Sequence, residues 1–115
     1  LNTQKELEYQ EVNDFLFADV KFFTQERSTR YPNDIVVFGH TPTGIIRDKL
    51  KEPDIGPYIW YDRKHKNKIG IDCGNQRRKR LACLDLTNCI EYYQPISRTE
   101  KTEIRTVKEA LNPKD

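Results

Sequence analysis

The stretch DIVVFGHTPTG, residues 34–44, sets one histidine, His40, behind a run of β-formers and Gly39 and ahead of a Thr-Pro turn. An imidazole at the carboxyl end of a buried strand is where α/β folds place ligands, and Gly39 lets the chain turn there. One ring nitrogen of such a histidine can bind a metal while an acceptor holds the other. It can equally be a strand-end histidine satisfied by hydrogen bonds, and the local residues leave both readings open. Asp72, in IGID, offers a carboxylate that either orients a histidine or accepts loop amides. His65 lies among like charges in RKHKN and reads as an exposed loop residue. The cysteines, Cys73, Cys83 and Cys89, are spaced C-x9-C-x5-C. That spacing fits neither a disulfide framework nor the C-x2-C pairs of a zinc site, so they read as reduced, mostly buried thiols.

The elements that must position these groups follow from apolar periodicity. Leu7 to about Arg27 contains no Gly or Pro, and Val12, Phe15, Leu16, Val20 and Phe23 recur at helical spacing, which predicts an amphipathic helix ending before Pro32. Ile35-Val36-Val37-Phe38 predicts a strand buried on both faces. Residues 43–57 read as loop with a short helical turn at Ile45 to Leu50. YIWYD (58–62) and KIGID (68–72) predict a hairpin, and RLACLDL (80–86) and IEYYQPI (90–96) are joined at Asn88 by a tight turn. Residues 97–115 read as a polar tail. In it Ile104, Val107 and Leu111 have weak helical spacing, and Ser97 and Glu100 have that of a capping box.

The chain has 115 residues, one domain's worth, and no apolar run near the ~20 residues of a membrane span. No secretory signal is visible at its start, so a cytoplasmic location and no membrane partner are expected. The net charge of +2 is unevenly spread: Asp62 to Arg80 carries +6, leaving −4 elsewhere. Such a local excess attracts an anion. Basic loops beside Tyr58, Trp60 and Tyr61 therefore also fit a small nucleic-acid-binding module, although Trp60 reads first as sheet packing.

VVFGHTPTG, then IGIDCG, then RLACLDL, in that order, resemble the C-terminal half of the calcineurin-like metallophosphoesterases. The branch is that of bacterial and phage serine/threonine protein phosphatases and symmetrical dinucleoside tetraphosphatases, and the resemblance runs from about Phe15 to Tyr93. It implies an α/β fold, the second half of an αββα sandwich, spanning residues 1–96 with one main helix and a mixed or antiparallel sheet of about five strands. It also implies that His40 is a metal ligand, with Gly39, Asp72 and Gly74 shaping the site. The activity implied is two-metal hydrolysis of phosphoserine, phosphothreonine or a dinucleoside polyphosphate. Pro42 stands where some branches carry a second histidine; the protein-phosphatase branch lacks that histidine too, so Pro42 favours that branch. The family's Gly-Asp-x-His-Gly, Gly-Asp-x-x-Asp-Arg-Gly and Gly-Asn-His-Glu blocks do not occur in this sequence. A pair of divalent metals (Mn, Fe, Zn or Ni) is therefore expected only together with an N-terminal half, in the same or a separate chain. The chain alone, with catalytic residues unassigned, is expected to be inactive. A noncatalytic subunit that docks on another phosphatase half is a further reading. Where the branch carries Trp-x-Arg, this chain has Phe17-Ala18-Asp19, and Asn75-Gln76-Arg77-Arg78-Lys79 replaces the usual loop after Ile-Asp-x-Gly. Arg77 and Arg78 are the candidate phosphate contacts, and a solvated charged hairpin is the alternative.

Overall fold

The computed structural model describes residues 20–29, 31–74, 80–97 and 99–107. It is a small mixed α/β protein. In chain order the elements are α1 (Val20–Phe23), β1 (Val36–Phe38), α2 (Thr43–Lys49), β2 (Trp60–Tyr61), β3 (Lys68–Gly70), β4 (Arg80–Asp85), β5 (Ile90–Pro95) and β6 (Glu103–Thr106). Residues 7–19 of the predicted helix lie outside the described residues, and the described helix, α1, ends at Phe23 rather than Arg27.

Among the described residues, the single sheet of about five strands expected from sequence is instead two sheets of three, ordered β1-β3-β2 and β4-β5-β6. In the first, β3 pairs parallel to β1 (Val37 with Ile69) and antiparallel to β2 (Tyr61 with Ile69). In the second both pairings are antiparallel, with Cys83 opposite Tyr92 and Tyr92 opposite Ile104. β1 thus lies at a sheet edge, and Ile35 and Val37 are exposed rather than buried on both faces. The buried central strand of that sheet is β3.

Two cores fix the layering. Phe22, Phe23, Ile46 and Trp60 pack between the helices and the first sheet, with Phe38 against them. The rings of Phe22 and Phe38 meet edge to face at 5.2 Å, as aromatic quadrupoles prefer. Trp60 Nε1 donates to the Glu52 carboxylate at 3.1 Å, so its one polar group is satisfied. Gly70 leaves room for both side chains: a Cβ on it would lie 3.0 Å from Ile46 Cδ1 and 3.1 Å from Phe38 Cζ, so they would have to give way. The second core joins the sheets through Ile59, Ile69, Cys73 and Tyr93.

The buried charged side chains Arg47, Asp62, Lys68 and Glu91 are hydrogen-bonded, as desolvation demands. Arg47 on α2 donates to the carbonyls of Tyr58 and Ile59, both at 3.0 Å. Lys68 Nζ pairs with Asp62 Oδ2 at 2.7 Å. Asp62 Oδ1 accepts the amides of Lys64 and His65, and Arg27 Nε donates to the His65 carbonyl at 2.6 Å, which holds the basic 63–66 loop. The helix expected near Ile104 is a strand. Thr102, Ile104 and Thr106 alternate with charged residues, and the open edge of β5 offers this β-branched run a ladder that an isolated weak helix cannot match.

Candidate functional site

The site is built where β1 and β3 end, because parallel strands bring their carboxyl ends to one edge of the sheet. The Ile71 amide donates to the Phe38 carbonyl at 2.9 Å, extending the ladder one step, and the Thr43 amide then donates to the Asp72 carbonyl at 2.8 Å. These bonds set the His40 loop beside the Asp72-Cys73-Gly74 loop across the mouth of a cleft of about 840 Å³. His40, Asp72 and Gly74 all line it.

The turn is made by the histidine itself. His40 has φ 73, in the left-handed region that L-residues other than Asn, Asp and His seldom enter, and the Thr41 amide donates across it to the Gly39 carbonyl at 2.9 Å. Gly39, expected to carry the sharp backbone, does not have a positive φ, and a Cβ on it would meet nothing within 4 Å. The imidazole is exposed. Asp72 Oδ1 accepts the Gly74 amide at 2.8 Å, closing a turn in which Gly74 has φ 68. So Asp72 shapes the loop opposite His40.

Behind the rim the Cys73 thiol is buried and pushed up to about 11, chiefly by desolvation, with Arg80 and the Thr43 hydroxyl opposing. It is a neutral thiol at physiological pH. Thr43 is fully buried, with its hydroxyl against the Cys73 thiol. Nothing in the periodicity of residues 43–57 marks that threonine; only the fold brings it against Cys73. Arg77 and Arg78 lie outside the described residues.

Among the described residues no group of three or more His, Cys, Asp or Glu side chains could hold a metal ion. His40 offers one imidazole, Asp72 is engaged by a loop amide, and Cys73 is protonated. Tight binding of a divalent transition metal needs three or four protein ligands. The described residues therefore do not fit a metal pair by themselves, and no hydrolytic step is derived through one.

The other sequence-marked residues have structural surroundings. Trp60 is 2% exposed and packs on Phe23 and Phe38, so it is no stacking platform for bases. His65 is partly buried, with its amide and carbonyl both engaged. Cys73 is buried, Cys89 is half-buried and Cys83 is exposed, all three free; the expectation of mostly buried thiols holds for Cys73 alone. Among the described residues no helix is long and apolar enough to cross a membrane. Compared with family models, with curated proteins and with solved structures, the chain matches none.

Proposed function

We propose that this chain supplies one part of a metal-dependent phosphoesterase, acting on phosphorylated serine or threonine or on a dinucleoside polyphosphate, with His40 as its single metal ligand. The remaining ligands then come from the N-terminal half of the same domain, in a longer form of the chain or in a partner chain. The observation that carries the reading is the meeting of two sequence blocks, GHTPTG and IDCG, through the bond from the Thr43 amide to the Asp72 carbonyl at 2.8 Å. Blocks separated by about thirty residues in sequence form one rim, with the imidazole on the open side.

The test has two arms. The isolated chain is assayed for manganese-stimulated hydrolysis of p-nitrophenyl phosphate, and no turnover is expected. The encoding gene is then read upstream of Leu1. Asp-, His- and Asn-bearing ligand blocks there, with phosphatase activity of the longer product lost in His40→Ala, support the reading. Turnover by the isolated chain that His40→Ala abolishes refutes the division of the site, and an upstream sequence without such blocks and without a co-purifying partner refutes the phosphoesterase itself.

A further inference from the structure

A second cleft, of about 620 Å³, opens where the loop from Leu50 to Ile55 and strand β2 face β5 and β6. Small-molecule sites usually measure roughly 300–1,000 Å³, so this one is of ordinary size. It adjoins the His40 cleft at Arg47 and Glu52, which line both, but neither His40 nor Asp72 lines it. Leu50, Ile55, Trp60 and Tyr61 give it apolar walls.

Its charges are sorted by depth. The carboxylates are engaged: Asp62 pairs with Lys68 at 2.7 Å, Glu52 accepts Trp60 Nε1 at 3.1 Å, and Glu91 accepts the hydroxyls of Tyr61 and Tyr93. Asp62 and Glu91 are also buried. The cations Arg63, Lys64 and Arg105 are exposed instead. Among the described residues the side chains of Arg63 and Lys64 make no hydrogen bond or ion pair. The Arg105 guanidinium lies 4.4 Å over the Tyr58 ring, and Glu103, the carboxylate two residues before it, is taken by Arg80 at 2.8 Å. Stacking thus positions a guanidinium whose N–H donors have no acceptor among the described residues, and such a fork matches a carboxylate or phosphate.

The basic rim is held in place before any ligand arrives. Asp62 Oδ1 accepts the amides of Lys64 and His65, and the Lys66 amide donates to the Asp62 carbonyl at 3.1 Å. Arg27 donates to the carbonyls of His65 and Lys66 at 2.6 and 3.1 Å. A ligand at this rim is spared the cost of ordering a loop.

We propose that this cleft binds a small aromatic anion, its planar body against Leu50, Ile55 and Tyr61 and its carboxylate or phosphate at Arg105, within the field of Arg63 and Lys64. The order of charges selects that chemistry. A cationic ligand would be repelled at the rim, and a second negative charge deeper in the cleft would meet Glu91 and Asp62, so the favoured ligand carries its charge at one end only. Tyr61 and the Trp60 edge favour a ring as the uncharged end. The proposal is independent of the phosphoesterase reading.

Trp60 is the only tryptophan in the chain and lines the cleft, so its indole N–H gives a single resonance that reports on this site. In heteronuclear NMR titrations of the whole chain, naphthoate should shift that resonance and the Tyr61 and Lys64 amides saturably, with a Kd at or below about 1 mM, and leave the Leu81 and Ile104 amides in place. Naphthalenemethanol, a ring without the charge, and inorganic phosphate, a charge without the ring, should each bind at least about tenfold more weakly. Naphthyl phosphate against naphthoate then decides which head group the cleft prefers, and tighter binding of either accords with the proposal. Arg105→Gln should weaken naphthoate at least about tenfold, and Arg63→Gln combined with Lys64→Gln about threefold. The second variant alters two exposed side chains that make no hydrogen bond or ion pair among the described residues, so misfolding cannot imitate its effect. An indole resonance that stays in place up to about 10 mM naphthoate, binding of the alcohol or of phosphate as tight as that of naphthoate, or an affinity indifferent to both variants overturns the proposal.

Discussion

The amide of Thr43 donates to the carbonyl of Asp72 at 2.8 Å, joining the first turn of α2 to the loop that leaves β3. With that bond in place, the segment from Gly39 to Pro42 must reverse within four residues, and the reversal falls on His40 at φ 73. The backbone strain at the candidate ligand thus follows from the way two loops are tied together.

His40→Gly should accordingly stabilise the fold. The left-handed conformation costs an L-residue about 1–2 kcal/mol, and glycine's extra freedom in the unfolded chain returns part of it, leaving a gain of about 0.5–1 kcal/mol. Urea unfolding should show a higher midpoint at an unchanged slope. A lower midpoint would mean that the imidazole itself contributes contacts to stability.

Gly70→Ala should destabilise by about 1–3 kcal/mol, the usual cost of overpacking a filled core. The added methyl would meet Ile46 Cδ1 at 3.0 Å, and Ile46 is wholly buried, so it has little room to retreat. Ile46→Val removes that methyl. The double variant should recover part of the loss, giving a favourable coupling in a double-mutant cycle.

Asp62→Ala should cost about 3–5 kcal/mol, because it leaves the buried Lys68 ammonium with the neutral Gln25 carbonyl and Asn67 Oδ1 but without its counter-charge, and also frees the Lys64 and His65 amides. Adding Lys68→Met to that variant should restore stability relative to the single change. Thermal melts of the three proteins decide it; a double variant weaker than Asp62→Ala would count against the buried-pair account.

Stability should fall at alkaline pH. Tyr61 and Tyr93 are raised above their ordinary 10.0, first by burial and next by their hydrogen bonds to Glu91. Acids held protonated by the fold give stability that is complete below the unfolded-state value and is lost as pH rises through the higher folded-state value. Cys73, near 11 instead of 9.0, acts in the same direction. Lys68 opposes them: burial lowers it below 10.5, so its charging penalty disappears over the same range. Three groups against one should make the melting temperature drop above about pH 10. Glu91→Gln, which keeps an acceptor but removes the charge, should make the drop shallower. A melting temperature that rises there would reverse the assignment.

Thiol chemistry should separate the cysteines. At pH 8 Cys83 should react with a disulfide reagent in the folded protein, while Cys73 should wait for unfolding, since the thiolate is the nucleophile and burial suppresses it. Mass spectrometry after a timed pulse should find Cys83 labelled and Cys73 unlabelled. Cys83→Ser should remove the fast phase.

What the sequence determined is local. The apolar run at Val36 to Phe38, the β2-β3 hairpin around RKHKN and the β4-β5 pair across its short turn are written in periodicity and turn chemistry that neighbouring residues supply. Even there the positive φ of the β4-β5 turn fell on Cys89 rather than Asn88, because Asp85 caps the turn from the strand side. The helix at Thr43–Lys49 was legible only as a short turn, having no side-chain cap to announce it. The tertiary structure decided the rest: the parting of the strands into two sheets, the edge position of β1, the strand at Glu103–Thr106, and the meeting of His40 with Asp72. Each depends on hydrogen bonds between segments far apart in the chain. Such pairings are chosen by which edges remain open once the core has formed, and no local spacing encodes that choice.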